Sequence, residues 1–333
     1  MKPDDFQFLA TLVKDRSGLV LTQDKAYLLE SRLMPVARKR GMKGLEELVA
    51  SLKARMDNAL ADEITEAMTT NESFFFRDIK PFDIFRDTIL PNLLKTRAHK
   101  KSFRIWCAAA SSGQEPYSIA MVLKEAAAQL AGWRIEIIGT DISREMLEKA
   151  KAGLYSQFEV QRGLPVQHLV KYFKKRDDLW QIDPALRSMV QYKEFNLLDD
   201  MGGLGTFDVV FCRNVLIYFD QQTKGIVLEK MSKQMTEDAV LYLGGAETVL
   251  GISEAFKPVQ GLRGVYARNG GAASLGDGGT TGGGANPAPA PTGFAKPKHM
   301  VEGRAPKGAE TPARPAPRPG TPPPRPGAPR PAA

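Results

Sequence analysis

Cysteine is scarce in this chain: Cys107 and Cys212 are the only two among 333 residues, far apart and each in an apolar run. That excludes a disulfide framework and a CxxC metal site. Histidine is scarce too, with His99 beside a lysine pair, His168 in an irregular stretch and His299 near the end. None of the three falls in a segment that suggests chemistry, so neither a histidine base nor a metal centre is expected. No run approaches the ~20 continuous apolar residues of a membrane span. The start, Met1-Lys2-Pro3-Asp4-Asp5, lacks the apolar core of a secretory signal. The expectation is a cytoplasmic protein without membrane insertion.

The nucleotide-binding signatures are missing as well. There is no GxGxxG and no P-loop GK[ST] anywhere in the chain. What is present is ordinary globular material, 43% apolar and 25% charged, enough for a real core. The net charge of +8 invites a nucleic-acid partner, but eight of the 46 basic residues and only three of the 38 acidic ones lie from Gly270 onward. The rest of the chain is therefore nearly balanced, and no nucleic-acid partner is expected.

The first seventy residues read as helices. Phe6, Leu9, Ala10 and Val13 recur at helical spacing. A second helix is predicted from about Lys25 to Gly41 with Leu29, Leu33 and Val36 inward, and Pro35 falls inside it as a kink or an early end. Leu45 to Leu52 and Ala59 to Met68 complete an all-helical domain, residues 1–70. After Pro81 apolar strand-like runs alternate with helical ones: Phe103–Trp106, Trp133–Gly139, Phe207–Cys212, Ala239–Leu243 and Gly264–Ala267. That alternation predicts a largely parallel α/β sheet over residues 81–269. Short candidate strands at Leu179–Ile182 and Met189–Tyr192 predict a β insertion at about 155–195. From 270 to 333 the chain is rich in Gly, then Pro, Ala and Arg, and reads as a disordered tail.

In such sheets ligands sit beyond the carboxyl ends of the strands. The first strand runs into Cys107-Ala108-Ala109-Ala110-Ser111-Ser112-Gly113-Gln114-Glu115, small residues that let a ligand approach the backbone. On spacing alone a plain tight turn is an equal reading. The second strand ends at Asp141, placed to accept from ribose hydroxyls, while Ser143 suits the cap of the following helix. Asn196-Leu197 follows a third strand, where backbone and amide could read an adenine edge. A fourth strand delivers Arg213, Asn214 and Tyr218. Ahead of the sheet, residues 71–80 hold Asn71, Ser73 and Arg77 around Phe74-Phe75-Phe76, either a lid or a linker anchored by its aromatics.

The ordered strings TTNESFFFRD, WCAAASSGQEPYSIAM, GTDIS and FCRNVLIYF resemble the CheR-type chemoreceptor glutamate O-methyltransferases across residues 5 to 268. The resemblance implies a Rossmann-like class I methyltransferase domain with a small antiparallel β subdomain, preceded by an all-helical domain. It implies S-adenosylmethionine as cofactor, S-adenosylhomocysteine as product, and no metal. Carried over by position, the cofactor contacts are Asn71, Ser73, Arg77, Glu115, Asp141, Asn196, Leu197, Arg213 and Asn214. Arg77 and Tyr218 are the expected catalytic residues. Ser73 replaces the family's usual Thr, and Ser112-Gly113-Gln114-Glu115-Pro116 its usual Thr-Gly-Glu-Glu-Pro.

The implied substrate is the helical bundle of a chemoreceptor, whose glutamates are already anions at neutral pH, so no base is needed. Lys25, Arg32 and Lys39, spaced by sevens, share one helix face and are the expected docking residues. Family members that also bind a receptor's C-terminal peptide carry a glycine-containing turn in the β subdomain. Tyr172 to Ile182 contains no glycine, so no such tether is expected. Two alternatives stay open: a cofactor-binding signalling adaptor, and methylation of another protein or of RNA.

Overall fold

The structure, a computed structural model, describes residues 1–271; the tail read from 270 onward lies almost wholly outside the described residues. The chain opens with α1 (Pro3–Ser17), α2 (Ala26–Lys39), α3 (Leu45–Ala54) and α4 (Asn58–Met68). The stripe Phe6, Leu9, Ala10, Val13 is buried against Leu29, Leu33, Leu48 and Ile64 of the other helices. α2 runs unbroken through Pro35, because the proline sits on the exposed face, where water can serve the carbonyl it leaves free. Its third inward position is Ala37, with Val36 only half-buried, a one-residue difference from the expected stripe.

A connecting stretch leads to α5 (Lys80–Ile84), which passes through a wide turn into α6 (Leu90–Thr96). The α/β part then alternates: β1 (Ser102–Cys107), α7 (Gln114–Glu125), β2 (Arg134–Asp141) and α8 (Arg144–Ala152). An excursion follows: β3 (Leu154–Ser156), α9 (Gln157–Gln161), α10 (Val166–Tyr172), β4 (Phe173–Arg176), β5 (Leu179–Ile182) and α11 (Pro184–Arg187). β6 (Val190–Glu194), β7 (Phe207–Cys212), α12 (Gln221–Lys233), β8 (Met235–Leu243), β9 (Phe256–Pro258) and β10 (Val265–Arg268) complete the described residues.

Seven strands form the main sheet in the order β6-β2-β1-β7-β8-β10-β9. β6, β2, β1, β7 and β8 are parallel, and β10 pairs antiparallel with both β8 and β9. Both faces of the central strands are covered, so β1, β7 and the second half of β8 carry buried apolar residues on both sides. In β7, Val209 and Phe211 face one core while Val210 and Cys212 face the other. Tyr242 stacks on Phe211 at 4.3 Å between centroids.

The insertion is smaller than the sequence suggests. Its antiparallel sheet is β3-β5-β4 and ends at Ile182. The run expected as its last strand is instead β6, which pairs in parallel with β2 from Ile137↔Val190 to Asp141↔Glu194. Alternation in four residues says that a strand exists, but not which sheet accepts it.

At the end of the sheet opposite the strands' carboxyl ends, Arg97 is buried between two acids. Its Nε donates to Asp208 Oδ1 at 2.7 Å and its Nη1 to Asp238 Oδ2 at 2.7 Å, while Asp208 Oδ2 accepts from the Arg104 N–H at 2.8 Å. The Arg97 guanidinium holds the Asp238 carboxyl below the usual range, with burial opposing. A depressed carboxyl stabilises the fold above its unfolded value of about 4 and loses that contribution as pH falls through its folded value. Asp238→Asn is expected to lower the melting temperature at pH 7, with the difference from wild type shrinking as the pH is brought below about 4. A gap that holds constant from pH 7 to acid would show that this ion pair does not carry the effect.

Candidate functional site

Beyond the carboxyl ends of β2, β1 and β7 lies an open cleft lined by both polar and apolar side chains. Asn71, Ser73, Arg77, Glu115, Asp141, Asn196, Leu197, Arg213, Asn214 and Tyr218 all line it. Residues from five separated segments thus converge on one space. Lys25, Arg32 and Lys39 do not line it.

The loop after β1 forms the floor. Ser111 (φ 47°) and Gly113 (φ 93°) are left-handed, and a Cβ on Gly113 would stand 2.7 Å from the Tyr192 hydroxyl and 2.9 Å from the Ala150 Cβ. Only glycine fits there. The turn aims the Ser111 N–H at Asp141 Oδ2 (2.7 Å), and the Ser143 N–H reaches Asp141 Oδ1 at 2.9 Å. Ser143 itself caps α8, its hydroxyl accepting from the Met146 N–H at 3.2 Å. The capping role therefore falls to Ser143 and leaves Asp141 facing the cleft. A carboxylate offers about four acceptor positions, so these backbone bonds do not exhaust it.

Burial raises the Asp141 carboxyl, opposed by the N–H groups of Ser143, Ser111 and Ile142. Burial raises Glu115 as well, opposed by the Arg213 guanidinium. Two carboxylates are thus held in a place that disfavours their charge, a common condition of binding sites before a partner arrives.

The two arginines differ. Arg213, with 1% of its side chain exposed, donates to Glu115 Oε2 at 2.8 Å, Asp78 Oδ2 at 2.7 Å and the Arg77 carbonyl at 2.9 Å. It thereby fixes the wall of the cleft that it also lines, with its Nε left without a partner among the described residues. Arg77 donates to the Glu72 carbonyl at 3.0 Å and lies 5.3 Å from the Phe74 ring centroid. Among the described residues no carboxylate lies within 4.0 Å of its guanidinium, which leaves it open to an anion.

The segment carrying Asn71, Ser73 and Arg77 is anchored by its aromatics. Phe75 packs edge-on against Tyr155 (5.0 Å) and Phe173 (5.5 Å), and the Phe76 N–H donates to Ser118 Oγ at 2.9 Å. Phe76, Asp78 and Ile79 all have positive φ, a run that L-residues adopt only when their surroundings hold them. The Ser111 hydroxyl donates to the Asn71 carbonyl at 2.8 Å and ties this segment to the floor.

Asn196 is engaged in structure: its amide donates to the Arg16 carbonyl at 2.5 Å, and its Oδ1 accepts from the Leu198 N–H at 3.0 Å. What the loop offers the cleft is backbone, since the N–H of Leu197 has no partner among the described residues. Tyr218 packs against both the α/β core and the helical core, and its carbonyl accepts from the Val20 N–H at 2.9 Å.

Ser17, Leu19 and Phe219 also line the cleft and were not expected. The helical domain thus supplies part of the wall. Gly18 (φ 77°) ends α1, and a Cβ there would stand 3.1 Å from the Phe219 ring. A glycine closing the first helix was the available sign, but nothing local said what it packs on.

The seven-spaced cations do not form one free face. Lys25 and Lys39 are exposed, Lys39 lying 3.7 Å from Glu63. Arg32 turns inward, its Nη1 donating to the carbonyls of Met68 (2.7 Å) and Thr69 (2.8 Å) and its Nη2 to Thr70 Oγ1 (3.2 Å). These are free carbonyls at the end of α4, where a guanidinium fits both the geometry and the dipole. Arg32 thus fixes the backbone leading into Asn71. Arg32→Ala is expected to cost roughly 1–3 kcal/mol in stability and to speed amide exchange over residues 69–77. Unchanged exchange there would refute this role.

The profile of the SAM-binding domain of CheR methyltransferases matches residues 71–265, and that of their all-alpha domain matches residues 4–69. The chain is 37% identical over 260 residues to chemotaxis protein methyltransferase Cher2 of Pseudomonas putida, covering 77% of this chain and 94% of that protein. It is 38% identical over 268 residues to chemotaxis protein methyltransferase 1 of Pseudomonas aeruginosa, covering 79% and 97%. To the chemotaxis protein methyltransferase of Salmonella typhimurium it is 32% identical over 269 residues, covering 79% and 89%. With both profiles matched in order and these relatives aligned over nearly their full lengths, the chain belongs to the CheR methyltransferase family.

Proposed function

We propose that this protein transfers the methyl group of S-adenosylmethionine to glutamate side chains of chemotaxis receptors, leaving methyl esters and S-adenosylhomocysteine. The observation that carries the reading is the meeting of Asp141, Glu115, the Leu197 N–H, the open Arg77 guanidinium and Tyr218 on one cleft. The donor set suits the cofactor. Asp141 has acceptor positions to spare for ribose hydroxyls, and the Leu197 N–H, without a partner among the described residues, is available to an adenine edge. Asn71, Ser73 and Asn214 add short polar side chains along the same wall.

When bound, the cofactor supplies a methyl group made electrophilic by its sulfonium. The protein's part is alignment, since an in-line displacement depends on positioning. The nucleophile, a carboxylate with a reference pKa of about 4.3, is already ionised, so no base is required. Arg77 offers a planar fork that orients a carboxylate, and the Tyr218 hydroxyl can donate near the methyl. Glu115 stays behind this front, paired with Arg213.

Asp141→Ala is expected to weaken cofactor binding by about 1.5–3 kcal/mol, the range for hydrogen bonds to a charged group. Wild-type affinity should also fall as the solution is acidified, beginning above the ordinary Asp value of about 4, because burial raises this carboxyl and its protonation removes the acceptors. Calorimetry across a pH series tests both. Labelled-methyl transfer to purified receptor, followed by base treatment, tests the chemistry: an ester releases labelled methanol. A base-stable product would rule out glutamate esterification.

The receptor's acidic helical bundle is proposed to meet the exposed side of α2 at Lys25 and Lys39, with Arg32 acting from behind through residues 68–70. Charge reversal at Lys25 and Lys39 should raise the apparent KM for receptor and leave cofactor affinity alone. The wild-type rate should fall with salt, because exposed charges are screened beyond about 8 Å at physiological ionic strength. A salt-independent rate with unaltered KM would remove this surface. No receptor peptide is assigned to the small sheet: β4 and β5 join through Asp177-Asp178, with charged Lys174–Arg176 along the β4 edge.

A further inference from the structure

One buried-facing carboxylate stands outside the cleft and is engaged by more backbone than any residue that lines it. Glu247 lies four residues beyond the end of β8, in Gly244-Gly245-Ala246-Glu247-Thr248. Its Oε2 accepts from the N–H groups of Asn214 (2.8 Å) and Gly244 (2.6 Å). Its Oε1 accepts from those of Val215 (3.0 Å) and Ile217 (3.2 Å). Three of these donors belong to the turn after β7, where Asn214 holds φ 59°. Backbone N–H groups converging in such a turn form an anion-binding nest. Here the anion is supplied by the chain itself.

The approach is close. A Cβ on Gly244 would stand 2.7 Å from both Asn214 Nδ2 and Glu247 Oε2 and 3.0 Å from the Asn214 N, so glycine is what lets the loop come near. The same turn presents Asn214 and Tyr218 to the cleft, whereas Glu247 is not part of the lining. A residue without access to the ligand thus determines where two of its proposed contacts stand.

We propose that Glu247 is a positioning residue for methyl transfer, acting through the 214–218 turn to hold the Tyr218 hydroxyl in register with the reacting atoms. The proposal rests on the methyl-transfer reading above. Glu247→Gln tests it sharply, because the amide has the same shape but its NH₂ faces two backbone donors whichever way it points. Two hydrogen bonds are lost and two donors are opposed. The turn should shift by a fraction of an ångström to an ångström, and kcat should fall about 10- to 100-fold, as misplacement on that scale does. Cofactor affinity should fall much less than kcat, because Asp141 and Leu197 are held by other elements and only the Asn214 contact moves with the turn.

A general loss of structure would not produce one further result. If Glu247 acts through Tyr218, Glu247→Gln combined with Tyr218→Phe should be no slower than the slower single variant, since residues acting as a unit are not additive. Losses that multiply would overturn the proposal. If Glu247→Gln does not fold, Glu247→Asp, which keeps the charge on a shorter arm, is measured in the same cycle. Amide exchange read without any substrate is the second arm: it should quicken over 214–218 and stay at wild-type rates over 108–113. A wild type that transfers no methyl refutes the reaction proposed above, and the exchange arm then decides the role of Glu247. Unchanged exchange at 214–218 overturns it.

Discussion

The guanidinium of Arg213, almost wholly withdrawn from water, is the interaction on which the cleft depends. It binds the start of α7 through Glu115 and the connecting segment through Asp78 and the Arg77 carbonyl. Withdrawing the connecting segment would take one carboxylate and one carbonyl from a buried guanidinium, and losing a partner of a buried charge costs more than the pair's net contribution. The segment from Phe76 to Ile79, with three positive φ values, is kept in place by that cost. Its backbone is bent against its own preference so that Arg77 stands free beside Arg213, which is not free. Two arginines of identical chemistry thus serve opposite ends, one as mortar and one as an open fork.

The helical domain belongs to the same construction. Asn196 donates to the last turn of α1, Val20 donates to the Tyr218 carbonyl, and Glu66 of α4 accepts from the Ser143 hydroxyl (2.8 Å) and the Glu145 N–H (2.9 Å). Arg32 of α2 holds the carbonyls just before Asn71. These bonds end on loops that line the cleft or on the helix ends that adjoin them. A partner that engages α2 therefore touches an element bonded directly to the segment bearing Asn71, Ser73 and Arg77. The proposed docking and cofactor sites therefore share backbone, and by linkage any effect of one on the other would be reciprocal.

The parts legible in the sequence were those with local causes. The helical stripes, the buried strands with both faces apolar, the glycine at the strand–helix turn and the acidic end of β2 follow from periodicity and steric need. The destinations of polar side chains did not follow. Arg32 shares a face with Lys25 and Lys39 by spacing, yet carbonyls thirty-six and thirty-seven residues away draw it inward. Arg213 and Arg77 read alike as strand-end or loop cations, and only the approach of Glu115 and Asp78 separates them. The edge strand β6 was visible as a strand but not as a member of the main sheet, because its register is set by a partner fifty-three residues earlier. Glu247 gave no sign at all, since an exposed-looking acid in a glycine loop is ordinary until four N–H groups are found around it.

The charge arrangement suits the methyl transfer to a carboxylate proposed above. Both reactants carry charge, one positive at sulfur and one negative at oxygen, and both charges diminish as the bond forms. A site crowded with free cations would bind the carboxylate well and hold it back, because stabilising the ground-state anion more than the transition state slows the step. In this cleft one guanidinium is open and the other is neutralised by Glu115 and Asp78. The buried carboxylates, raised by desolvation, are the groups that gain when a cationic or hydroxyl-bearing ligand arrives. In the proposed reaction binding falls chiefly to Asp141 and orientation to the single fork of Arg77. That division lets affinity for the cofactor rise without quenching the nucleophile it must meet.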